Sequence, residues 1–467
     1  MADLHYDLCI IGSGSGNSIP DERFADWKVA MVDRGVGIED VFGGTCLNVG
    51  CIPTKMFVHP ADLAASVDHA RALGVDLSLD GVAWKQIHDR IFGRIDPIAQ
   101  GGEEYRAGNV DLYRGTAEFV ADKRLRVGDT EFTADRIVLA AGSRPRRLDC
   151  PGADQIVCHT SDTVMHLSEL PETMVILGGG FIAAEFAHIF GSFGVDVTII
   201  NRSPLMLRQQ DEEVARRFTE LAAGKWNLRM SESVTRVEPL DGDRVRIHTR
   251  AGDDENGTDH SYEADVVLLA VGRVPNSDTL NLSAGGVEVD EGGLVIVDEY
   301  QRTTADGVWA LGDVSSEHQL KHVANHEAKV VQHNLLHPDN LIASDHRYVP
   351  GAVFSKPQVA SVGLTEADAK DQGLDYVTAV QEYGSIAYGW AMEDTEHFAK
   401  LIADRSTGKL LGGHIMGPQA ATLIQPVIQA LHFDLGAREM ATGQYWIHPA
   451  MPELIENALL SLPLEDS

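Results

Sequence analysis

Cysteine is scarce in this sequence. Only five occur in 467 residues, and Cys9, Cys150 and Cys158 stand apart from one another and from any partner motif. So sparse a set argues against a disulfide-stapled secreted scaffold and for a reducing compartment, which makes a cytoplasmic location the expectation. Positive charge is also short: 38 Lys and Arg face 70 Asp and Glu, for a formal net charge of −32. Nucleic acids and anionic membranes both require basic patches, so neither is an expected partner, and the acidity reads as solubility. There is no apolar run of spanning length, and no basic segment leading into an apolar one at the start, so neither a membrane span nor a signal peptide is expected. Low-complexity tracts are missing too. What remains, 44% hydrophobic and 23% charged residues, is ordinary for a soluble globular chain, long enough for roughly two to four domains.

Against that scarcity, Cys46 and Cys51 stand close together in Gly43-Gly-Thr-Cys-Leu-Asn-Val-Gly-Cys-Ile-Pro-Thr-Lys55. Two thiols at this spacing suit a disulfide that is made and broken, since exchange needs an attacking thiolate and a neighbouring sulfur. A zinc half-site would need a second Cys/His pair at short spacing, and none follows. The segment after Cys51 reads as a helix, which puts Cys51 at a helix N-terminus, where the dipole is expected to lower a thiol pKa.

Residues 6 to 33 read as strand, Gly-rich turn, helix and strand, and the same order returns at 174 to 201. Two such units predict two nucleotide-binding domains. Arg136-Ile-Val-Leu-Ala-Ala-Gly-Ser-Arg-Pro and its near-copy Asp265-Val-Val-Leu-Leu-Ala-Val-Gly-Arg-Val-Pro read as the crossings into and out of an inserted second domain. The expected division is 1–150 with 275–345 for the first domain, 151–274 for the second, and 346–467 for an α+β domain of short alternating strands and a helix over 420–434. The fold class is therefore α/β, with two Rossmann-like domains, the second inserted in the first, and a C-terminal α+β domain.

In the first turn, Gly12 and Gly14 allow a tight bend and close approach to a pyrophosphate, and Asp33 ends the next strand where a carboxylate holds ribose hydroxyls. The third glycine of the usual spacing is replaced by Asn17, with Gly16 left to supply the close helix–strand contact. The second turn, Gly178-Gly-Gly-Phe-Ile-Ala183, keeps the G-x-G-x-x-A form, but its following strand ends in Asn201-Arg202 with Arg208 six further on. A carboxylate would repel a 2′-phosphate and arginine forks bind one, so NADPH is expected over NADH. Near the C-terminus, His448-Pro-Ala-Met-Pro-Glu453 offers an imidazole with a carboxylate five residues on, a proton shuttle if it stands beside a thiol. His318, His322 and His326 are spaced by four on what reads as one helix face, but no acidic or thiol ligand completes a metal site. Tyr388 and Trp390 read as cleft or core.

Taken together, Cys46–Cys51, both Gly-rich turns, Ala310-Leu-Gly-Asp313 and His448…Glu453 make the chain, from about residue 6 to 457, resemble the FAD-containing pyridine nucleotide–disulfide oxidoreductases, the family of glutathione reductase and dihydrolipoamide dehydrogenase. Within it, Ile11-Gly-Ser-Gly-Ser-Gly-Asn-Ser-Ile-Pro and the Cys46–Cys51 segment look most like the branch that reduces the disulfide of mycothiol. The resemblance implies FAD on the first domain, held by Gly12, Gly14 and Asp33 with Asp313 on its ribityl or phosphate oxygens. The implied cofactor-binding set extends to Gly16, Gly44, Thr45, Lys55, Gly142, Gly178, Gly180, Phe181, Arg202, Arg208, Gly272 and Gly312. It implies that Cys51 is the sulfur nearer the flavin and Cys46 the one that attacks substrate. Lys55 would pair with Glu185 near the flavin, Phe181 would gate the nicotinamide pocket, and His448, oriented by Glu453, would be the acid–base group. In the family that histidine comes from the other subunit, so a homodimer with shared active sites is implied. Dihydrolipoamide dehydrogenase, which normally uses NAD, and glutathione reductase stay open as alternatives, as does a non-catalytic flavoprotein scaffold. Mercuric reductase and large thioredoxin reductases require a further C-terminal redox pair, and no cysteine follows Cys158.

Overall fold

The computed structural model describes residues 4–252 and 257–464. Its first sheet has seven strands. Asp111–Arg114, Val29–Asp33, His5–Ile11 and Thr130–Leu139 run parallel in that order. His5–Ile11 is covered on both faces, which is why it reads as a nearly unbroken apolar run, with Leu8, Cys9 and Ile10 fully buried. The long strand Thr130–Leu139 changes partner along its length: its start pairs with the antiparallel hairpin Ala117–Ala121 and Arg124–Val127, and its end with Val308–Ala310.

A second, five-stranded parallel sheet has the order Asn227–Met230, Asp196–Asn201, Thr173–Leu177, Val266–Leu269, Cys158–His159, and carries a three-stranded antiparallel sheet over Glu232–Pro239, Val245–Ala251 and Thr258–Ala264. The two crossings expected from the sequence lie side by side: Ser143–Pro145 pairs antiparallel with Arg273–Pro275. The last sheet is antiparallel, in the order Gly351–Val353, Val359–Gly363, Leu410–Met416, Phe398–Asp404, Tyr376–Glu382. The mixed α/β class is as expected. The helix read over 420–434 is two, Ala420–Leu423 and Gln425–His432. Among the described residues, no helix is long and apolar enough to cross a membrane.

The largest core is shared between units. Phe57, Val58 and Ala61 of the helix Cys51–Ala64 pack with Ala184, Ala187 and Phe190 of the helix Phe181–Ser192 and with Trp84 of the helix Trp84–Ala107. His188 and Asp62 add a side-chain bond across that contact at 2.8 Å.

One element differs from the sequence reading. No α-helix follows the first Gly-rich turn; Gly16–Ser18 and Glu22–Phe24 form single 3-10 turns. Pro20 has no N–H to continue a helix, and only twelve residues separate Gly16 from Val29. The short segment is held from outside. Arg106, buried at the end of the helix Trp84–Ala107, donates to Asn17 Oδ1 at 2.5 Å, to Pro20 O at 2.8 Å and to Asn17 O. Gln332, on the helix Lys321–Leu336, donates to Ile19 O at 2.7 Å. Asn17, which breaks the glycine spacing, is thus the anchor point for a buried guanidinium.

Candidate active site

The two cysteines sit on either side of a break between helices. Cys46 lies in the short helix Gly44–Asn48, and Cys51 is the first residue of Cys51–Ala64. Gly50 makes the break at φ −134° and ψ −122°, outside both the helical and the extended regions, and a Cβ there would stand 2.9 Å from Thr45 O. The turn points the backbone N–H groups of Cys51 and Ile52 back at the Cys46 sulfur. With both thiols reduced, the Cys51 thiol donates to Cys46, and this bond lowers Cys46 to about 7 against the opposing effect of burial, with help from the Lys321 ammonium. The same bond, with burial, raises Cys51. A thiolate is thus favoured on Cys46, and not on Cys51 as the sequence suggested, chiefly because the Cys51 thiol donates to it, with the N–H groups of Cys51 and Ile52 adding to the effect.

Lys55 and Glu185 meet through a third residue that sequence reasoning missed. The Lys55 ammonium lies 4.1 Å from the ring centroid of Phe354, while Glu185 Oε1 accepts the Phe354 N–H at 2.8 Å. The direct ion pair expected between them is replaced by this arrangement. Burial raises Glu185 to about 7, with only slight opposition from Lys55.

Around the first turn, the backbone approaches other backbone closely. Gly12 has φ +110°, and a Cβ on it would strike Ala140 O at 2.1 Å; one on Gly44 would meet Gly14 Cα at 2.5 Å. Gly16 packs against Ala140 and Ile10, as expected. At Gly142 and Gly272, φ is positive and a Cβ would meet nothing within 4 Å, so conformation and not crowding selects glycine there. Asp33 is buried; its Oδ1 accepts from Ser13 N, and its Oδ2 from Gly35 N and Arg114, each at 3.0 Å. Asp313, beside Gly312, accepts from Ser143 Oγ at 2.6 Å, and Ser143 in turn receives Arg273 Nε at 2.7 Å. Both partners stand on the two-stranded ribbon, so Asp313 is fixed where the chain crosses between sheets. The near-copied crossings Gly142-Ser-Arg-Pro and Gly272-Arg-Val-Pro marked the two strands in the sequence, but not this cluster.

At the second turn, Gly178 has φ +115° and Gly180 caps the helix Phe181–Ser192 without a side-chain bond. Phe181 is exposed. Asn201 replaces the usual carboxylate and works inside the loop: Nδ2 donates to Ser203 O and Leu205 O, both at 3.1 Å, and Leu207 N donates to Gly179 O at 2.7 Å. Arg202 and Arg208 project from this loop, exposed.

His448 Nδ1 and Glu453 Oε1 are 2.9 Å apart, the dyad read from the sequence. The imidazole is exposed and the carboxylate largely covered, with Glu453 Oε2 buried and unbonded among the described residues. The dyad stands beside Tyr445, fully exposed, and Ile447, 74% exposed. Of the other residues considered, Trp390 is exposed and not core. His318 lies outside the helix Lys321–Leu336 that holds His322 and His326, and packs toward His346 at 5.8 Å, so the three histidines do not share a helix face.

Residues 6–328 match the family model described as pyridine nucleotide-disulphide oxidoreductase, and residues 349–459 match that family's dimerisation domain. The chain is 53% identical to the mycothione reductase of Mycobacterium tuberculosis, over 98% of this chain and 99% of that one. It is 32% identical to a mercuric reductase of Staphylococcus aureus, over 98% and 83%, and 32% to a dihydrolipoyl dehydrogenase of Halobacterium salinarum, over 96% and 94%. Among solved structures, the HOCl-induced flavoprotein disulfide reductase RclA from Escherichia coli superposes with a TM-score of 0.84 at 27% identity, over 97% of this chain and 99% of that one. With a reactive dithiol set between two Gly-rich turns and a dimerisation domain behind it, the chain belongs to the pyridine nucleotide–disulphide oxidoreductases.

Proposed function

We propose that this protein is a homodimeric, NADPH-dependent flavoprotein that reduces the disulfide of mycothiol. The observation that carries the substrate is the 53% identity to mycothione reductase along both whole chains; the site geometry carries the chemistry. The residues fit both cofactors. Gly12, Gly14 and Gly44 let the first turn and the segment before Cys46 pack backbone against backbone beside the buried carboxylate of Asp33; a turn so free of side chains suits a pyrophosphate and ribose and supports FAD there, with Gly142, Gly312 and Asp313 beyond. Gly178, Gly180 and Gly272 would take NADPH, and the exposed forks of Arg202 and Arg208 suit its 2′-phosphate. We take the division at about 150, 274 and 345 to separate these two binding domains and the dimerisation domain.

FAD held there would supply the route by which a hydride equivalent from NADPH reaches the Cys46–Cys51 disulfide as an electron pair. This chain's residues do the rest. The Cys46 thiolate, favoured first by the Cys51 thiol and then by the Cys51 and Ile52 N–H groups, attacks one sulfur of the substrate. A Cys46–substrate disulfide forms, and the first thiol leaves with a proton from His448. Cys51 then gives up its proton and attacks Cys46, the second thiol leaves, and the Cys46–Cys51 disulfide is restored: two electrons and two protons have passed to one disulfide. Glu453, on Nδ1, holds the imidazole so that Nε2 faces outward. Because the dyad sits among exposed apolar side chains, we assign His448 to the other subunit's dithiol. Lys55, Phe354 and Glu185 border the flavin side, and Phe181 covers the nicotinamide side.

The test is oxidation of NADPH and of NADH with mycothione, oxidised glutathione and lipoamide in parallel. Turnover of NADPH with mycothione alone is expected; turnover of NADH with lipoamide would keep the chemistry and overturn both specificities. In the variant Arg202→Gln/Arg208→Gln, the KM for NADPH is expected to rise at least about tenfold with that for NADH little changed, the loss of two charge-assisted contacts.

A further inference from the structure

Ser231 joins Asn227–Met230, the edge strand of the second parallel sheet, to the antiparallel strand Glu232–Pro239. Its φ is +56°, a left-handed conformation that a residue with a Cβ keeps only where its surroundings fix it. Ser231 N donates to Ser203 O at 3.2 Å, and that oxygen also accepts Asn201 Nδ2 at 3.1 Å. Ser203 directly follows Arg202, so two donors hold the peptide next to the first exposed arginine of the second nucleotide loop. What fixes the turn lies beside it. Glu232 is 3% exposed, and the two other strands of its small sheet send side chains to it. Thr249 Oγ1 donates to Oε1, and His260 Nδ1 stands 2.9 Å from the same oxygen. The Tyr262 hydroxyl lies 3.0 Å from Oε1 and 3.2 Å from Oε2. Burial opposes the charge on Glu232, but these bonds outweigh it and hold the carboxyl below its usual range. The Arg229 guanidinium, on the strand that enters the turn, lies 5.5 Å from the Tyr262 ring centroid. The cluster thus grips the chain on both sides of Ser231, and a buried network with its bonds made permits one arrangement only.

We propose that Glu232 is a positioning residue for recognition of the NADPH 2′-phosphate, locking the Ser231 turn that holds Arg202 in place. The proposal rests on the reading of Arg202 and Arg208 as the residues that meet this phosphate. Glu232 does not touch the nucleotide; it acts through Ser231 N and Ser203 O. A guanidinium fork held in place before the phosphate arrives loses less freedom on binding it. Arg208 has its own support, since the preceding Leu207 N donates to Gly179 O at 2.7 Å. Loosening the Ser231 turn should therefore weaken phosphate recognition and not abolish it.

The experiment is calorimetric titration of FAD-loaded enzyme with ADP-ribose and with its 2′-phosphate, two ligands that differ only in the group at issue. Glu232→Gln keeps the side chain's size and removes the charge on which the donors converge. Its affinity for the phosphorylated ligand should fall about fivefold, with that for ADP-ribose unchanged. Tyr262→Phe removes one donor and keeps the ring beside Arg229; it should lose about twofold, again for the phosphorylated ligand alone. Where Glu232→Gln does not fold, Tyr262→Phe decides. Equal weakening of both ligands would mean a general loss of structure and overturns the positioning role. Unchanged affinity for the phosphorylated ligand also overturns it, while Arg202→Gln/Arg208→Gln, titrated alongside, shows whether the 2′-phosphate reading stands. If that double variant binds the phosphorylated ligand as the parent does, the reading falls and the role of Glu232 with it.

Discussion

Glu327 shows how a single carboxyl binds the flavin-side scaffold to pH. It is 1% exposed, its Oε2 accepts Gly312 N at 2.6 Å, and His346 Nε2 stands 3.0 Å from its Oε1. Burial raises it from 4.5 to about 7, and burial also depresses His346, which therefore does not offset it at neutral pH. A carboxyl with a folded pKa above its unfolded one holds its proton more tightly when folded. Stability is then lost as pH rises from about 4.5 to about 7. Glu327→Gln keeps an acceptor for Gly312 and removes the titration. In urea unfolding of the FAD-loaded protein it should be more stable than the parent at pH 8, by up to about 3 kcal/mol, and nearly equal at pH 5. A constant difference between the two pH values would count against the assignment. Residue roles of this kind were only partly legible in the sequence. His448 and Glu453 lie five apart and could be read as a dyad, and the cysteines announced themselves. Phe354 and Ser143 carried no local signal, because what matters in each is a neighbour more than a hundred residues away.

Elements were more legible where periodicity and glycine set them. Strands buried on both faces appear as apolar runs, and the sharp turns after them need positive φ, so Ile11-Gly12 and Leu177-Gly178 could be placed from sequence alone. The missing helix after Gly16 was not legible, since its short length is compensated by Arg106 and Gln332 from distant helices. Equally hidden was the buried joint between the second and last sheets. Lys400, on Phe398–Asp404, donates to both oxygens of Asp211 at 2.8 and 3.1 Å and meets Glu366 at 2.6 Å, and Asp211 caps the helix Glu212–Ala223. Lys400 and Asp211 are 7% and 1% exposed as side chains. Removing one partner strands the other in a dry site. Lys400→Met should therefore destabilise by about 3 kcal/mol or more, and adding Asp211→Asn should recover much of it. Thermal unfolding of both variants measures this, and a Lys400→Met protein as stable as the parent would refute it. The helix capped by Asp211 follows directly on the loop bearing Arg202 and Arg208, so the joint also fixes that loop's exit.

At the scale of the whole molecule, Tyr445 and Ile447 leave apolar surface open beside His448, and the match to a dimerisation domain over 349–459 says what family of contact covers such a surface. Two predictions follow from that. Ile447→Asp should shift the protein toward monomer in sedimentation velocity and remove most disulfide reduction. The second mixes two inactive parents, Cys46→Ser and His448→Ala. If each site combines one chain's Cys46 with the other chain's His448, dimers dissociated and reassembled from equal parts should regain about a quarter of parental activity, from one intact site in half of the dimers. No recovery after verified subunit exchange would place both groups in one chain.

The strand Thr130–Leu139, paired at its far end by Val308–Ala310, also sets an order of assembly. A ribosome making this chain releases the first nucleotide turn early, yet the strand that closes the sheet beside it appears some 170 residues after Leu139. The helix that brings Lys321 and Asn325 to Ser15 comes later still. Until then the sheet keeps an open parallel edge, and pairings this remote form slowly. The nascent chain thus carries an exposed edge throughout synthesis of the intervening unit. The part of the molecule made first is among the last to be finished.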